Sequence, residues 1–316
     1  REVLGDGASL EALNVSCSAL MKLYGGLGGS TECSIANSLW TDPEGRMQED
    51  FVGRCSGIFD AQVFQEDLSA PFIVPALNSW VSDHTAGMIP QIIQRPFGED
   101  AAALMVNALY LKNTWAAKFD PSDTVTRDFT RADGTAEPLD FLQHFSRSLT
   151  YLQSGSDEGV LLPYDDGRLA FFALMPRQSS GVPDFGRWLS SLTGEGLSAL
   201  LSGREETFFL RLSLPKFEQE WSGELKDALA ALGLTDAFDP DLADFSLLGD
   251  DPRGYYLSQV IHAARIEVNE EGTEAAAATV VAAASGAVPP QEGVTLIFDR
   301  PFLYGIVDLQ NGVPLF

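Results

Sequence analysis

Apolar positions along the chain follow two kinds of spacing. Residues 10–24 place Leu10, Leu13, Leu20, Leu23 and Tyr24 near a 3.6-residue period, and the glycines at 25–29 end that helix. A second helical pattern covers residues 75–93 through Leu77, Trp80, Val81, Met88, Ile89 and Ile92, loosened by Gly87 and Pro90. A short amphipathic one covers 227–234 and stops near Gly233. Elsewhere alternation takes over. Residues 33–40 set Cys33, Ile35 and Leu39 against smaller or polar neighbours, and 208–215 (FFLRLSLP) alternates strongly. Residues 104–112 (LMVNALYLK) read as a buried strand. Residues 160–163 and 169–175 read as a hairpin about Asp165-Asp166-Gly167. Residues 255–262 lead into 264–268, and strands at 293–298 and 303–309 are expected to close the chain. The irregular order of helices and strands points to an α+β fold.

One segment resists this reading. Residues 275–278 and 282–284 are alanines or nearly so, and alanine has the best intrinsic helix propensity. Propensity alone leaves the stretch 272–286 open between helix and loop.

Charge narrows the function. Twenty basic against 45 acidic residues leave −25, a surface that repels phosphate backbones and so argues against nucleic acid as a partner. No run approaches the roughly 20 apolar residues that span a bilayer, which argues against a membrane. Cys17, Cys33 and Cys55 are odd in number and lack metal-ligand spacing, so free buried thiols are expected. The chain begins at Arg1 without a signal-peptide pattern and stops at Phe316 within an apolar stretch, so both ends read as cut.

Catalytic signatures are missing: no GxSxG, HExxH, CxxC, Walker loop or GxGxxG occurs. Residues 25–29 (GGLGG) follow a helix and lack a lysine after them, unlike a phosphate loop. His84, His144 and His262 have no evident catalytic partner and read as structural. Asp165-Asp166 and Asp250-Asp251 sit in turns, where solvated carboxylates are common. No enzyme activity, cofactor or metal is expected.

Several motifs in a fixed order are more specific. Residues 107–119 read NALYLKNTWAAKF, 212–217 LSLPKF, 227–238 DALAALGLTDAF, 258–263 SQVIHA, 270–279 EEGTEAAAAT, 299–302 DRPF and 313–316 VPLF. From about residue 31 onward the chain resembles a serpin, a serine protease inhibitor of the inhibitory type. The resemblance implies a single α+β domain over residues 1–316, with three β-sheets, surrounding helices and an exposed reactive-centre loop at about 270–291. That domain would lack the family's opening helices and its last strand.

The resemblance also assigns roles. Glu270, Glu271, Gly272, Thr273, Glu274, Ala275, Ala276, Ala277, Ala278 and Thr279 form the hinge, and the family's count places the cleaved bond at Gly286-Ala287. Thr273, Ala275, Ala277, Thr279 and Val281 would face inward once the cut loop enters a sheet as a new strand. All are small or β-branched, which suits insertion without overpacking. Glu270 and Lys216 match a pair at the top of the main sheet, and Trp115 matches the tryptophan beside the insertion point. Asn107 and His262 match a polar cluster beneath the sheet centre.

The implied activity is suicide-substrate inhibition, in which the protease serine attacks the loop and is trapped as an acyl-enzyme. Ala284, Ser285, Gly286, Ala287 and Val288 are small, which fits a shallow elastase-like or subtilisin-like specificity pocket. The alternative is a non-inhibitory serpin, cleaved as a substrate or acting by binding. The resemblance further implies secretion and a monomer. Helix 10–24 offers only Lys22 where some serpins bind polyanions, so no glycosaminoglycan partner is expected.

Overall fold

Twelve residues without glycine or proline, ALMVNALYLKNT, make one of the two longest strands of the computed structural model. The model describes residues 7–146, 149–155, 157–177, 184–202, 204–205, 209–250, 254–273 and 293–316. In chain order the first elements are α1 (Leu10–Tyr24), β1 (Glu32–Thr41), β2 (Arg46–Met47), α2 (Glu49–Phe59), β3 (Ala61–Gln65), α3 (Ile73–His84) and β4 (Ala103–Thr114). There follow β5 (Val125–Thr130), β6 (Ala136–Ser146), β7 (Thr150–Ser154), β8 (Asp157–Pro163), β9 (Leu169–Pro176), α4 (Phe185–Ser191), α5 (Gly194–Ser202) and β10 (Arg204–Glu205). The last are β11 (Leu210–Pro215), β12 (Phe217–Glu224), α6 (Lys226–Ala231), β13 (Gly249–Asp250), β14 (Leu257–Val268), β15 (Gly272–Thr273), β16 (Val294–Ile297) and β17 (Leu303–Asp308). Sheets of six, five and four strands, with a two-stranded ladder β13–β2, give an α+β fold. No helix among the described residues is long and apolar enough to cross a membrane.

One compact unit comprises Arg1–Leu27, Glu32–Leu111 and Gln219–Ile266. Here β4 and β14 run parallel, paired from Leu257↔Ala103 to Ala264↔Leu109, and β1 pairs parallel with β3. Leu104, Val106 and Ala108 of β4 pack with Ile73, Leu77 and Val81 of α3, as alternation along a strand requires. Truncating the fully buried Leu77 to alanine would cost about 2–5 kcal/mol.

Helix α3 ends at His84, short of the expected 93. Thr85 Oγ1 donates to Val81 O at 2.8 Å and accepts from Ile89 N at 3.2 Å, while Ala86 and Gly87 take positive φ. Asn78 then accepts from Ile92 N and Ile93 N, folding that stretch back on the helix. Ile89 and Ile92 thus keep a helical spacing while reaching the core from a loop. Within 255–268, residues Leu257–Val268 form one strand, β14, with an irregularity between Leu257 and Gln259.

The other unit comprises Gly28–Thr31, Lys112–Glu218 and Glu267–Phe316. Its five-stranded sheet runs β10-β7-β8-β9-β17, and every residue of β9 (LAFFALMP) is buried, which explains that unbroken apolar run. Its four-stranded sheet runs β16-β11-β6-β5. The β5–β6 connection turns at Gly134, φ +84°, a conformation that favours glycine. The carboxylate of Asp308, wholly buried, is held by Arg168 at 2.7 Å.

Candidate functional site

The strands β4 and β14 are parted at one end by β15. Gly272 faces Thr114 and Thr273 faces Asn113 on one side, and Thr273 faces Val268 on the other. The chain reaches this position through a tight turn built on Asn269. Its Oδ1 accepts from Glu271 N at 3.0 Å and Gly272 N at 3.3 Å, and its backbone N–H donates to Gly272 O at 3.1 Å. The glycine is required by closeness, since a Cβ there would lie 2.0 Å from Asn113 O and 2.8 Å from Thr114 Cα.

Thr273 is 1 % exposed, and its Oγ1 shares a 2.5 Å hydrogen bond with the Tyr164 hydroxyl. Complete burial pushes the Tyr164 phenol well above its ordinary value, so it stays neutral. Trp115 stacks on Tyr164 with centroids 4.9 Å apart and an interplanar angle of 5°, and Phe119 and Phe171 meet it edge-on. The Trp115 indole N–H donates to Asn269 O at 2.8 Å, and its backbone N–H to Glu271 O at 2.9 Å. Aromatic packing and the hinge turn are therefore one structure.

Charges close the same turn. Lys216 Nζ lies 2.9 Å from Glu270, which also accepts from Thr124 Oγ1 at 2.8 Å. Burial alone would raise the Glu270 carboxyl. The hydrogen bonds from Lys216 and Thr124 outweigh it and hold the group below its ordinary range. Glu271 pairs with Lys118.

Behind β15 lies a polar cluster that the sequence did not flag. Asn113, fully buried, donates to Asp166 Oδ2 at 2.6 Å, and its Oδ1 accepts from Thr114 N at 2.9 Å and Ser30 Oγ at 3.3 Å. Asp166 also accepts from Thr31 Oγ1 and from the N–H groups of Arg168 and Leu169, and Asp165 accepts from Ser30 Oγ at 2.8 Å. The pair Asp165-Asp166, expected to be merely solvated, anchors strand β4 instead. Tyr164, Ser30 and Thr31 gave no sequence signal, and Asn113 and Asp166 read only as a motif residue and a turn acid, because their partners are distant along the chain.

In the other unit, Asn107 on β4 donates to Ala36 O at 3.2 Å and Asn37 Oδ1 at 2.8 Å, and its Oδ1 meets His262 Nδ1 at 2.7 Å. Since the Asn107 oxygen only accepts, that imidazole nitrogen carries the proton. Asn107 thus links β1, β4 and β14. Burial lowers the His262 pKa, and the Trp221 ring lies 5.7 Å away. Glu274, Ala275, Ala276, Ala277, Ala278, Thr279, Gly286 and Ala287 lie outside the described residues. Among the described residues no three His, Cys, Asp or Glu gather as a metal site needs, and the three cysteines are free and half-buried. Burial raises the Cys33 thiol to about 11.

Comparison with known proteins adds a family to this geometry. A family model described as Serpin (serine protease inhibitor) matches residues 2–316. Plasminogen activator inhibitor 1 of Neovison vison is 33 % identical over 314 residues, covering 94 % of this chain and 75 % of its own. Serpin-Z2B of Triticum aestivum is 32 % identical over 298 residues, covering 91 % and 74 %. The structure of the thermophilic serpin tengpin in the native state superposes with a TM-score of 0.89 at 28 % identity, covering 99 % of this chain and 79 % of that one.

Proposed function

Because this chain belongs to the serpin family, whose members in general inhibit proteases rather than catalyse reactions, we propose that it traps an elastase-like or subtilisin-like serine protease as a suicide substrate. The reactive segment is about 270–291, and the bond cut is Gly286-Ala287. Secretion, a monomeric state and a single serpin domain over the whole chain belong to the same reading.

The observation that carries it is the register at β15. Four residues on from Thr273, an antiparallel strand extended along β4 reaches Leu109, and the same strand extended along β14 reaches Ala264. Leu109 and Ala264 are partners now. In an inserted strand of this register Ala277 would therefore face both at once, and the two strands would need only to part sideways, without sliding. Extension to Ala103, where β4 begins, inserts about ten residues. At about 0.5–1.5 kcal/mol net per ladder hydrogen bond, that supplies on the order of 10 kcal/mol to displace an attached protease.

Mechanistically, Trp115, Tyr164 and the Asn269 turn hold the first two residues of the incoming strand, and Glu270–Lys216 fixes the point from which it grows. Asn107 and His262 lie on the line that must open. The protease serine attacks the Gly286 carbonyl and forms an acyl bond, the amine of Ala287 leaves, and insertion then distorts the protease before water can hydrolyse the ester.

Mixing the chain with pancreatic-type elastase tests this. A covalent complex that survives denaturant is expected, with mass spectrometry placing the cut at 286-287. Cleavage without a complex would favour a substrate-type or binding serpin.

A further inference from the structure

A cavity of about 940 Å³ opens among three stretches of one unit: the loop 93–101 ahead of β4, the start of β14, and Lys226 at the start of α6. Its volume lies within the roughly 300–1,000 Å³ typical of small-molecule sites. The ladder between the strands shapes it. Leu257 faces Ala103 and Gln259 faces Leu104, so Ser258 is an extra residue on β14. Ser258 Oγ accepts from Ala102 N at 2.9 Å, and the Tyr256 hydroxyl donates to Asp100 O at 2.6 Å. Phe97 N donates to Leu68 O at 3.0 Å and fixes the middle of the loop. The walls are therefore tied to the strands.

Charge runs against the composition here. Arg95, exposed, and Lys226, half-buried, both line the cavity. Neither has an ion-pair or hydrogen-bond partner among the described residues, although Lys226 Nζ lies 5.7 Å from the centroid of the Phe238 ring. Asp100 is the single carboxylate on the lining among the described residues, so the lining is net positive. The chain as a whole carries 45 acidic against 20 basic residues. The side-chain amides of Gln94 and Gln259 add donors, while Ile93 and Phe97 bring apolar surface that is packed on the core behind.

We propose that this cavity binds a small organic phosphate, a phosphate group carried on an apolar or aromatic body. The Arg95 guanidinium and the Lys226 ammonium match the charge of a phosphate dianion, and charge-assisted hydrogen bonds from such groups are the strong ones. The two amides offer further donors to its oxygens, and Ile93 and Phe97 offer the body a surface to cover. The site goes beyond the inhibitory reading. Binding is expected whether or not the chain traps a protease.

Titration calorimetry at low salt tests it with 1-naphthyl phosphate, inorganic phosphate and 1-naphthol on wild type, Arg95→Gln and Lys226→Gln. 1-Naphthyl phosphate should bind wild type at a single site and raise its melting temperature by mass action. It should bind roughly tenfold tighter than inorganic phosphate because its rings leave water, and 1-naphthol should not bind. Each variant should bind 1-naphthyl phosphate roughly tenfold more weakly. Lys226→Gln also gives up the contact with Phe238, so Arg95→Gln, whose melting temperature without ligand should equal that of wild type, is the deciding variant. No heat from wild type, or wild-type affinity in Arg95→Gln, would overturn the site. Inorganic phosphate binding as tightly as 1-naphthyl phosphate would overturn the organic body.

Discussion

The same two strands are parted in one region and closed in another. At Asn113–Thr114 and Val268, β4 and β14 hold Gly272–Thr273 between them. From Ala103 to Leu109 and Leu257 to Ala264 they bond directly to each other. The parted end is fastened from outside by a buried tyrosine, a stacked tryptophan and an ion pair. The closed end is fastened across itself by Asn107 and His262. The two ends therefore divide the work. On the proposed mechanism, one would set whether a strand can start, and the other how hard it is to continue.

Substitutions at the parted end should have the largest effects. Thr273→Arg forces a charge into a site that is 1 % exposed. At about 3–5 kcal/mol for an uncompensated buried charge, trapping should drop at least a hundredfold while cleavage persists, as read from complex and cleaved bands on a gel. Unchanged complex would mean that Thr273 does not lead the inserting strand. Gly272→Ala should cost about 2–3 kcal/mol through collision with the β4 backbone, measured as a shift in denaturant midpoint.

Tyr164→Phe strands the Thr273 hydroxyl and should cost about 1–2 kcal/mol, whereas Tyr164→Phe with Thr273→Val should recover most of it, since both polar partners are then gone. Failure of the second change to rescue the first would detach the bond from hinge stability.

Acid separates the two ends by pH. The folded-state pKa of His262 lies below its ordinary 6.5, so the unfolded chain binds more protons between the two values. Its contribution is complete above about 6.5 and is lost as pH falls through the folded value. The folded-state pKa of Glu270 lies below its ordinary 4.5, so its contribution persists to lower pH and is lost only as pH falls through that folded value. Melting curves against pH should show the two windows in that order. His262→Gln removes the upper one and Glu270→Gln the lower, the latter by about 1 kcal/mol or less because Lys216 is partly solvated.

Much of the parted end was legible from residues that carry their own chemistry. Trp115, Lys216 and the 270–273 stretch stand in distinctive short motifs, and the structure gathers them at one turn. Tyr164 was not legible: it closes a strand before a hairpin turn, and only folding brings it to Thr273, 109 residues away. Asp166 likewise reads as a turn acid until Asn113 and Thr31 reach it. Strand β12 (FEQEWSGE) escaped the hydrophobic pattern because it is mostly exposed, and α2 (EDFVGRCSGIF) because two glycines interrupt its propensity. In each case the deciding contacts are long-range, and periodicity records only local ones.

The stacked indole at the hinge turn has an optical consequence. Trp115 rests flat on Tyr164 and gives its ring proton to the Asn269 carbonyl, so any departure of the loop exchanges both neighbours of one chromophore. If insertion begins at this turn as proposed, the emission of Trp115 would shift with it and report the event without a label, against four tryptophans placed elsewhere.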